Sequence, residues 1–268
     1  ILVAYGKQPK RWIMNLVFAF ALLITIVFSF SGATINWVRL ANIGISLGDM
    51  FRGIVKIDWD FFFGINGFDF NQGIVYLTLE TLAIAFIGTF LGGIIAIPFG
   101  FLASENVIGK RWAKVFEIVL LMIRVFPEII LAFILIQGFG MNALSGVLTI
   151  GLHSIGMLGK LYAEAIDNMD KSPLEALDSV GANTIQKIRY GILPNIIPDL
   201  SSIALYRLDI NVRAATILGI VSAGGIGTLL NTAINMWRWP LLGNILLGII
   251  IMVLSVDYLS SKLRSKLI

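Results

Sequence analysis

Apolar runs of about twenty residues recur along this 268-residue chain, separated by short charged patches. A run of that length, coiled at 1.5 Å per residue, matches the roughly 30 Å of hydrocarbon in a bilayer. In hydrocarbon every backbone N–H and C=O must find its partner within the chain, so helices are the form such runs take. Only 13% of the residues are charged, about half the share usual in a soluble domain. The expected class is therefore an all-α membrane protein. The chain has no cysteine and a single histidine, His153. That leaves no disulfide framework, no thiol nucleophile and no His- or Cys-based metal site. No catalytic constellation and no metal ligands are expected.

Hydropathy divides the chain into six helices, at about 12–32, 73–103, 115–137, 144–163, 197–220 and 240–261. No repeat, low-complexity tract or interdomain linker interrupts them, so one transmembrane domain over 1–268 is the simplest organisation. The first run follows Lys7, Lys10 and Arg11. It is longer than the apolar stretch of a signal peptide and lacks a small-residue cleavage site, so it reads as a retained span. The chain begins with Ile1, and a native start further upstream is expected.

Basic residues gather before the first helix, between the second and third (Lys110, Arg111, Lys114), around the loop between the fourth and fifth (Lys160, Lys171, Lys187, Arg189), and after the sixth (Lys262, Arg264, Lys266). By the positive-inside rule these segments and both termini are cytoplasmic, and an even number of spans agrees. The net charge of +4 is small and follows membrane topology, so no nucleic-acid partner is expected. On the outer side, residues 36–56 place Trp37, Leu40, Gly44, Leu47, Phe51 and Ile54 at spacings of three or four. That predicts an amphipathic helix in the outer interface, serving as a surface anchor or as a collar for an external partner.

The loop at about 163–195 is long and polar. Ser172, Pro173 and Glu175 have the spacing of a capping box with proline in the first turn. A short helix is expected from Leu174 to about Val180, a turn at Gly181, and a second short helix ended by Gly191-Ile192-Leu193-Pro194. Leu174, Leu177, Val180, Ile185 and Ile188 would form one apolar face.

Charges also fall within the apolar runs. Helix 3 holds Arg124-Val-Phe-Pro-Glu128, and helix 5 holds Arg207-Leu-Asp209-Ile-Asn211-Val-Arg213. Three unpaired arginines at helix centres would cost roughly 8–10 kcal/mol. They must pair, hydrate or face an interior. Arg124 and Glu128 are four residues apart, as are Asp209 and Arg213, and Arg207 shares a face with Asn211. Pro127 removes a backbone donor and predicts a kink. These six residues either line a polar path for an anion or lock helices 3 and 5 together, with Arg213 the best candidate to face a path. Gly224, Gly225 and Gly227 follow helix 5 and suit close helix crossing, a re-entrant turn or a gate. His153 reads as a satisfied bundle residue.

Glu175-Ala176, Gly181 and Leu193-Pro194 stand at the spacing of the cytoplasmic coupling loop of ABC-importer permeases. The match departs from the family pattern at Leu177, where a second alanine is preferred, and at Gly191, where a branched residue is. With Tyr206-Arg-Leu-Asp-Ile-Asn-Val-Arg213, Ala223-Gly-Gly-Ile-Gly227 and Arg124-x-x-Pro-Glu128, the chain resembles the phosphonate-type permeases of type I importers over about residues 70–265. The resemblance implies a multi-pass subunit of a bacterial inner membrane. Its partners would be two ATP-binding subunits, a second permease copy (identical or sibling), an extracytoplasmic solute-binding protein and membrane lipid. It also implies that ATP and magnesium are bound by the partner ATPase and that this chain needs no cofactor. There is indeed no G-x-x-x-x-G-K-[ST] segment in the sequence. The substrate implied is phosphonate, phosphite or phosphate. Alternatives are a type I permease for another solute such as methionine, or an ion-coupled secondary transporter. The latter often shows inverted internal repeats, which are not evident here.

Overall fold

The computed structural model describes residues 11–32, 43–65 and 69–267, and all the regular structure among them is helical. The expectations for Lys7, Lys10 and the stretch 36–42 lie outside the described residues. By internal contacts the chain falls into two units, Ile1–Met50 and Phe51–Ile268. The first holds α1 (Arg11–Gly32), apolar around its whole circumference from Trp12 to Phe30. A helix of that kind belongs in lipid rather than water. α2 (Ile43–Val55) begins in the first unit and ends in the second.

The second unit starts with α3 (Trp59–Phe63) and a short 3-10 turn at Phe70–Gln72. α4 (Ile74–Ala103) follows, then α5 (Glu105–Ile108), α6 (Lys110–Val125), α7 (Glu128–Phe139) and α8 (Ala143–Asn168). α9 (Ser172–Ser179) and α10 (Thr184–Gln186) make up the polar loop, and a π-helical turn at Lys187–Ile192 leads into α11 (Leu193–Ile220). α12 (Gly227–Asn235) and α13 (Trp239–Leu267) close the chain.

Four of these helices (α1, α4, α8 and α13) are long and apolar enough to cross a membrane, and the α6–α7 pair makes a fifth if it is one span. α11 has the length, at 28 residues, but carries Arg207, Asp209 and Arg213. Its charges must therefore be accommodated by its neighbours.

α4 and α8 form the central pair. Gly88, Gly92, Ala96 and Gly100 recur every fourth residue on one face of α4. A methyl group on Gly92 would lie 2.6 Å from the Gly151 carbonyl oxygen, and one on Gly100 would lie 2.7 Å from Tyr162 Cβ. The two backbones thus approach as closely as small-xxx-small faces allow, and dispersion contacts supply the attraction that a hydrophobic effect cannot supply in lipid. Along α4 three apolar clusters follow one another. They centre on Ile74, Ile226 and Ile245, then on Ile84, Ile150 and Leu218, then on Leu158, Ile166 and Ile196.

Helix 3 of the sequence reading is two helices. α6 and α7 meet at an angle of 81° around Phe126-Pro127. Phe126 is extended (φ −66°, ψ 123°), because the proline ring excludes the α conformation from the residue before it. The kink expected at Pro127 is thus a full break. Asn244 of α13 ties down the segment after α2. Its side-chain oxygen accepts from the Asp58 N–H at 3.0 Å and its amide donates to the Asp58 carbonyl at 3.2 Å.

Candidate functional site

The loop at 163–195 begins at a clamp that sequence reasoning missed. At the end of α8, Asp167 Oδ1 accepts from the Ser104 hydroxyl at 2.6 Å and from the Asn106 N–H at 3.0 Å. The Asn106 amide donates back to the Ile166 and Asp167 carbonyls. The α4–α6 connection is thereby fixed to the point from which the loop hangs. Asp167 stands more than sixty residues from these donors in sequence, so no local spacing announces the clamp.

The capping box expected at Ser172 and Glu175 is not formed. Asp170 takes that place, its Oδ1 accepting from the Ser172 N–H at 3.1 Å and from the Ser172 hydroxyl at 2.9 Å. Those bonds, the backbone one first, hold the Asp170 carboxyl below its ordinary range. The true capping box lies eleven residues on, at Asn183 and Gln186, with reciprocal 2.9 Å bonds. Gly181, at φ +74°, makes the turn between the two short helices, a conformation open to glycine at no steric cost. Lys187 pairs with Asp178 across that turn.

The expected apolar face divides in two. Leu174, Leu177 and Ile188 are half-buried, and a methyl on Gly191 would lie 2.9 Å from Leu177 Cδ1 and 3.1 Å from Leu174 Cδ2. Glycine at 191 therefore lets α9 pack directly on the π turn. Val180 and Ile185 instead point outward, 78% and 75% exposed, alongside exposed Glu175 and Ala176. Leu193 and Pro194 do not end the second short helix. They form the first turn of α11, where proline's missing N–H costs nothing. The loop is thus continuous with α11 through the π-helical turn.

Two turns into its apolar half, α11 carries the buried charges. Arg207 is 3% exposed. Its Nη2 donates to Glu128 Oε1 at 2.9 Å, its Nη1 meets Met157 Sδ at 3.1 Å, and its Nε reaches Ser154 Oγ at 3.4 Å. His153 Nδ1 lies 2.7 Å from Glu128 Oε1 and 2.8 Å from Arg207 Nη2. The pairing of Glu128 with Arg124 expected from their spacing is therefore absent. The break at Pro127 turns the two residues apart, and Glu128 bonds across the bundle instead. Asn211, on the Arg207 face as expected, donates to Thr89 Oγ1 at 2.7 Å and to Ser154 Oγ at 2.9 Å, joining α11 to α4 and α8. Asp209 and Arg213 pair at 2.6 Å as their spacing predicts.

Arg213 keeps 55% of its side chain exposed. With Glu128, Pro127, Ile129, Ile210 and Ile217 it lines a recess of about 390 Å³ between α7 and α11. The buried and exposed arginines thus differ in kind. Arg207 is spent on internal bonds, and Arg213 has donors to offer. Arg124 bonds to neither Glu128 nor Asp209 and is exposed in the last turn of α6.

The glycines after α11 pack tightly. The Ile226 N–H donates to Thr81 Oγ1 at 2.8 Å, Gly225 (φ +74°) lies directly against Thr81, and a methyl on Gly224 would lie 2.8 Å from Ala143 Cα. This loop joins α4, α8 and α11 at one end of the bundle.

A bundle of apolar helices with buried ion pairs and a protruding polar loop defines a multi-pass membrane protein. Residues 96–264 match the family described as binding-protein-dependent transport system inner membrane component, and the chain belongs to that family. It is 37% identical over 187 residues to the phosphite transport system permease protein PtxC of Stutzerimonas stutzeri, covering 69% of this chain and 68% of that one. It is 34% identical over 189 residues to the phosphate-import permease protein PhnE of Mycolicibacterium smegmatis, covering 70% of this chain and 36% of that one. The chain thus spans about two thirds of the first relative's length and about one third of the second's. In fold it is similar to the inward-facing MetNI methionine ABC transporter, with TM-score 0.66 and 21% identity over 73% of this chain and 96% of that one. Membership in this family removes the secondary-transporter alternative.

Proposed function

We propose that the chain is the permease subunit of an ATP-driven importer for a phosphorus oxyanion such as phosphonate, phosphite or phosphate. The observation that carries the reading is the pair of arginines on α11. One is locked by Glu128 and His153, and the other is half exposed in a recess beside Asp209. A fixed cation in a low-dielectric recess lowers the barrier for an anion far more than the same charge in water would. The relatives named for phosphite and phosphate transport support the same class of cargo.

In this reading α1, α4, the bent α6–α7 pair, α8, α11 and α13 make six spans, with both termini and the 163–195 loop in the cytoplasm. Glu175, Ala176, Val180, Gly181 and Ile185 form the exposed tip of the loop and dock on a separate ATP-binding subunit, which also binds the ATP and magnesium. Leu193 and Pro194 join the tip to α11. Closure of the ATPase pair pushes the tip, the rigid connection moves α11, and Arg213 changes its exposure between the two sides. A second permease copy completes the path, and an external binding protein delivers the anion. Gly224, Gly225 and Gly227 hold the outer end of the moving helix and serve as a gate.

Purification of the complex from native membranes in a mild detergent, with mass spectrometry of what accompanies it, tests this reading. A stoichiometric ATPase with a phosphate-binding loop is expected. A chain that purifies alone under conditions that preserve other membrane complexes would contradict it.

A further inference from the structure

Arg124 has no carboxylate or hydrogen-bond partner among the described residues. It lines a cavity of about 110 Å³ between α6 and α8, with Lys114, Glu117, Ile118, Leu121, Gly156 and Lys160. That space is large enough for several waters or for one tetrahedral oxyanion. The cavity wall carries three cations and one carboxylate. Glu117 is engaged by both lysines, at 2.9 Å to Lys114 and 2.7 Å to Lys160. Lys160 also reaches Glu164, outside the cavity, at 3.4 Å. The guanidinium of Arg124 is left over, with its fork of donors unspent.

The cavity lies in a wall of apolar side chains. Ile118 and Leu121 line it, and Trp112, Val115, Val119 and Met122 are exposed on the same helix. Lys114 and Arg124 are ten residues apart, about 15 Å along α6. The site therefore starts near Trp112 at one membrane face, where Trp side chains concentrate, and extends inward beside aliphatic surface. A cationic recess with an apolar border of this kind matches a phosphate group carried on an acyl-chain anchor.

We propose that the α6–α8 cavity is a binding site for a phosphate-bearing anion, held by Arg124 with Lys114 and Lys160, and that its occupant is the headgroup of an anionic phospholipid. Bound there, the headgroup bridges the start of the broken α6–α7 pair to α8 and steadies the element whose other half carries Glu128. The same oxyanion chemistry is available from free phosphate in the cytoplasm, and the test separates the two sources. It reads binding rather than uptake, so it stands whether or not the cargo is a phosphorus oxyanion.

The full chain, purified in mild detergent and stripped of lipid, is titrated with phosphatidylglycerol, with phosphatidylcholine, and with inorganic phosphate. Native mass spectrometry reads the bound fraction, and thermal unfolding reads the stabilisation. Phosphatidylglycerol is expected to remain bound and to raise the melting temperature by several degrees, with phosphatidylcholine doing neither. R124Q is expected to cut the bound fraction at least fivefold, and R124Q/K160Q further still. Lys110→Gln with Arg111→Gln, on the same helix but outside the cavity, is expected to stay within twofold. R124Q alone carries the test if the double variant does not fold, because Arg124 gives up no internal bond. Inorganic phosphate that reproduces the stabilisation and loses it in R124Q assigns the site to the free anion and overturns the lipid. Equal retention of the two lipids, or undiminished phosphatidylglycerol binding by R124Q, overturns the site.

Discussion

Arg207 of α11 and Glu128 of α7 meet at 2.9 Å although 79 residues separate them in sequence. That one bond joins the helix continuous with the polar 163–195 loop to the half-helix behind Pro127, and His153 of α8 closes the triangle. Removing one partner from a buried ion pair leaves an uncompensated charge and costs about 3–5 kcal/mol, whereas replacing both with apolar groups is often close to neutral. Arg207→Met is expected to lower stability in detergent by that order. Glu128→Met with Arg207→Met is expected to recover much of the loss. A double-mutant cycle on thermal unfolding checks it, and additive effects would show that the two side chains do not act as a pair.

The crossing of α4 and α8 makes a sharper steric prediction. A methyl on Gly92 meets the Gly151 carbonyl, a backbone atom that cannot rotate away. Gly92→Ala is expected to destabilise the fold by about 1–3 kcal/mol, the usual cost of overpacking. Gly138→Ala, in α7 with nothing within 4 Å, is expected to be neutral or to gain up to about 1 kcal/mol. Fluorescence-detected melting of the two variants side by side provides the comparison.

How much of this was legible beforehand follows from the range of each interaction. Apolar runs mark the long helices, and a spacing of four marks the Asp209–Arg213 pair, because both are local properties of a helix. The spacing of four between Arg124 and Glu128 was equally visible and gave the wrong pair, since Pro127 bends the chain by 81° between them. The partners of Glu128 come from α8 and α11, and nothing in the local sequence names them. Gly88, Gly92, Ala96 and Gly100 stand at a period the sequence analysis does not single out, and nothing local names the helix that crosses there. At the loop, the spacing of serine and glutamate points to Ser172 as the cap. Asp170, two residues earlier, competes better because a carboxylate accepts from both the N–H and the hydroxyl of Ser172.

The exposed tip of the loop should matter for coupling and not for folding. Val180 and Ile185 are more than 70% exposed, so Val180→Asp and Ile185→Asp bury no charge in the subunit itself. Each is expected to reduce uptake more than tenfold while membrane levels stay within twofold. Gly181→Asp and Glu175→Lys are expected to do the same. Immunoblots of membranes alongside uptake by whole cells separate the two effects, and unchanged uptake in all four variants would remove the loop from the coupling path.

The Asp167 clamp should behave oppositely. Asp167→Ala strips three hydrogen-bond donors at Ser104, Glu105 and Asn106 of their shared acceptor. Hydrogen bonds to a charged group are worth about 1.5–3 kcal/mol, so a loss of stability of that order is expected. Faster amide exchange should be confined to residues 104–108 and the end of α8, as hydrogen–deuterium exchange would resolve.

The central claim is ATP-driven import of a phosphorus oxyanion through this chain. It is tested most directly by reconstituting the permease with its ATPase and binding protein in liposomes and measuring entry of labelled phosphite. Accumulation that requires ATP on the loop side, is competed by phosphonate or phosphate, and falls at least tenfold in Arg213→Ala with the complex still assembled is the predicted result. Accumulation of none of the three anions, or of methionine in their place, would contradict it.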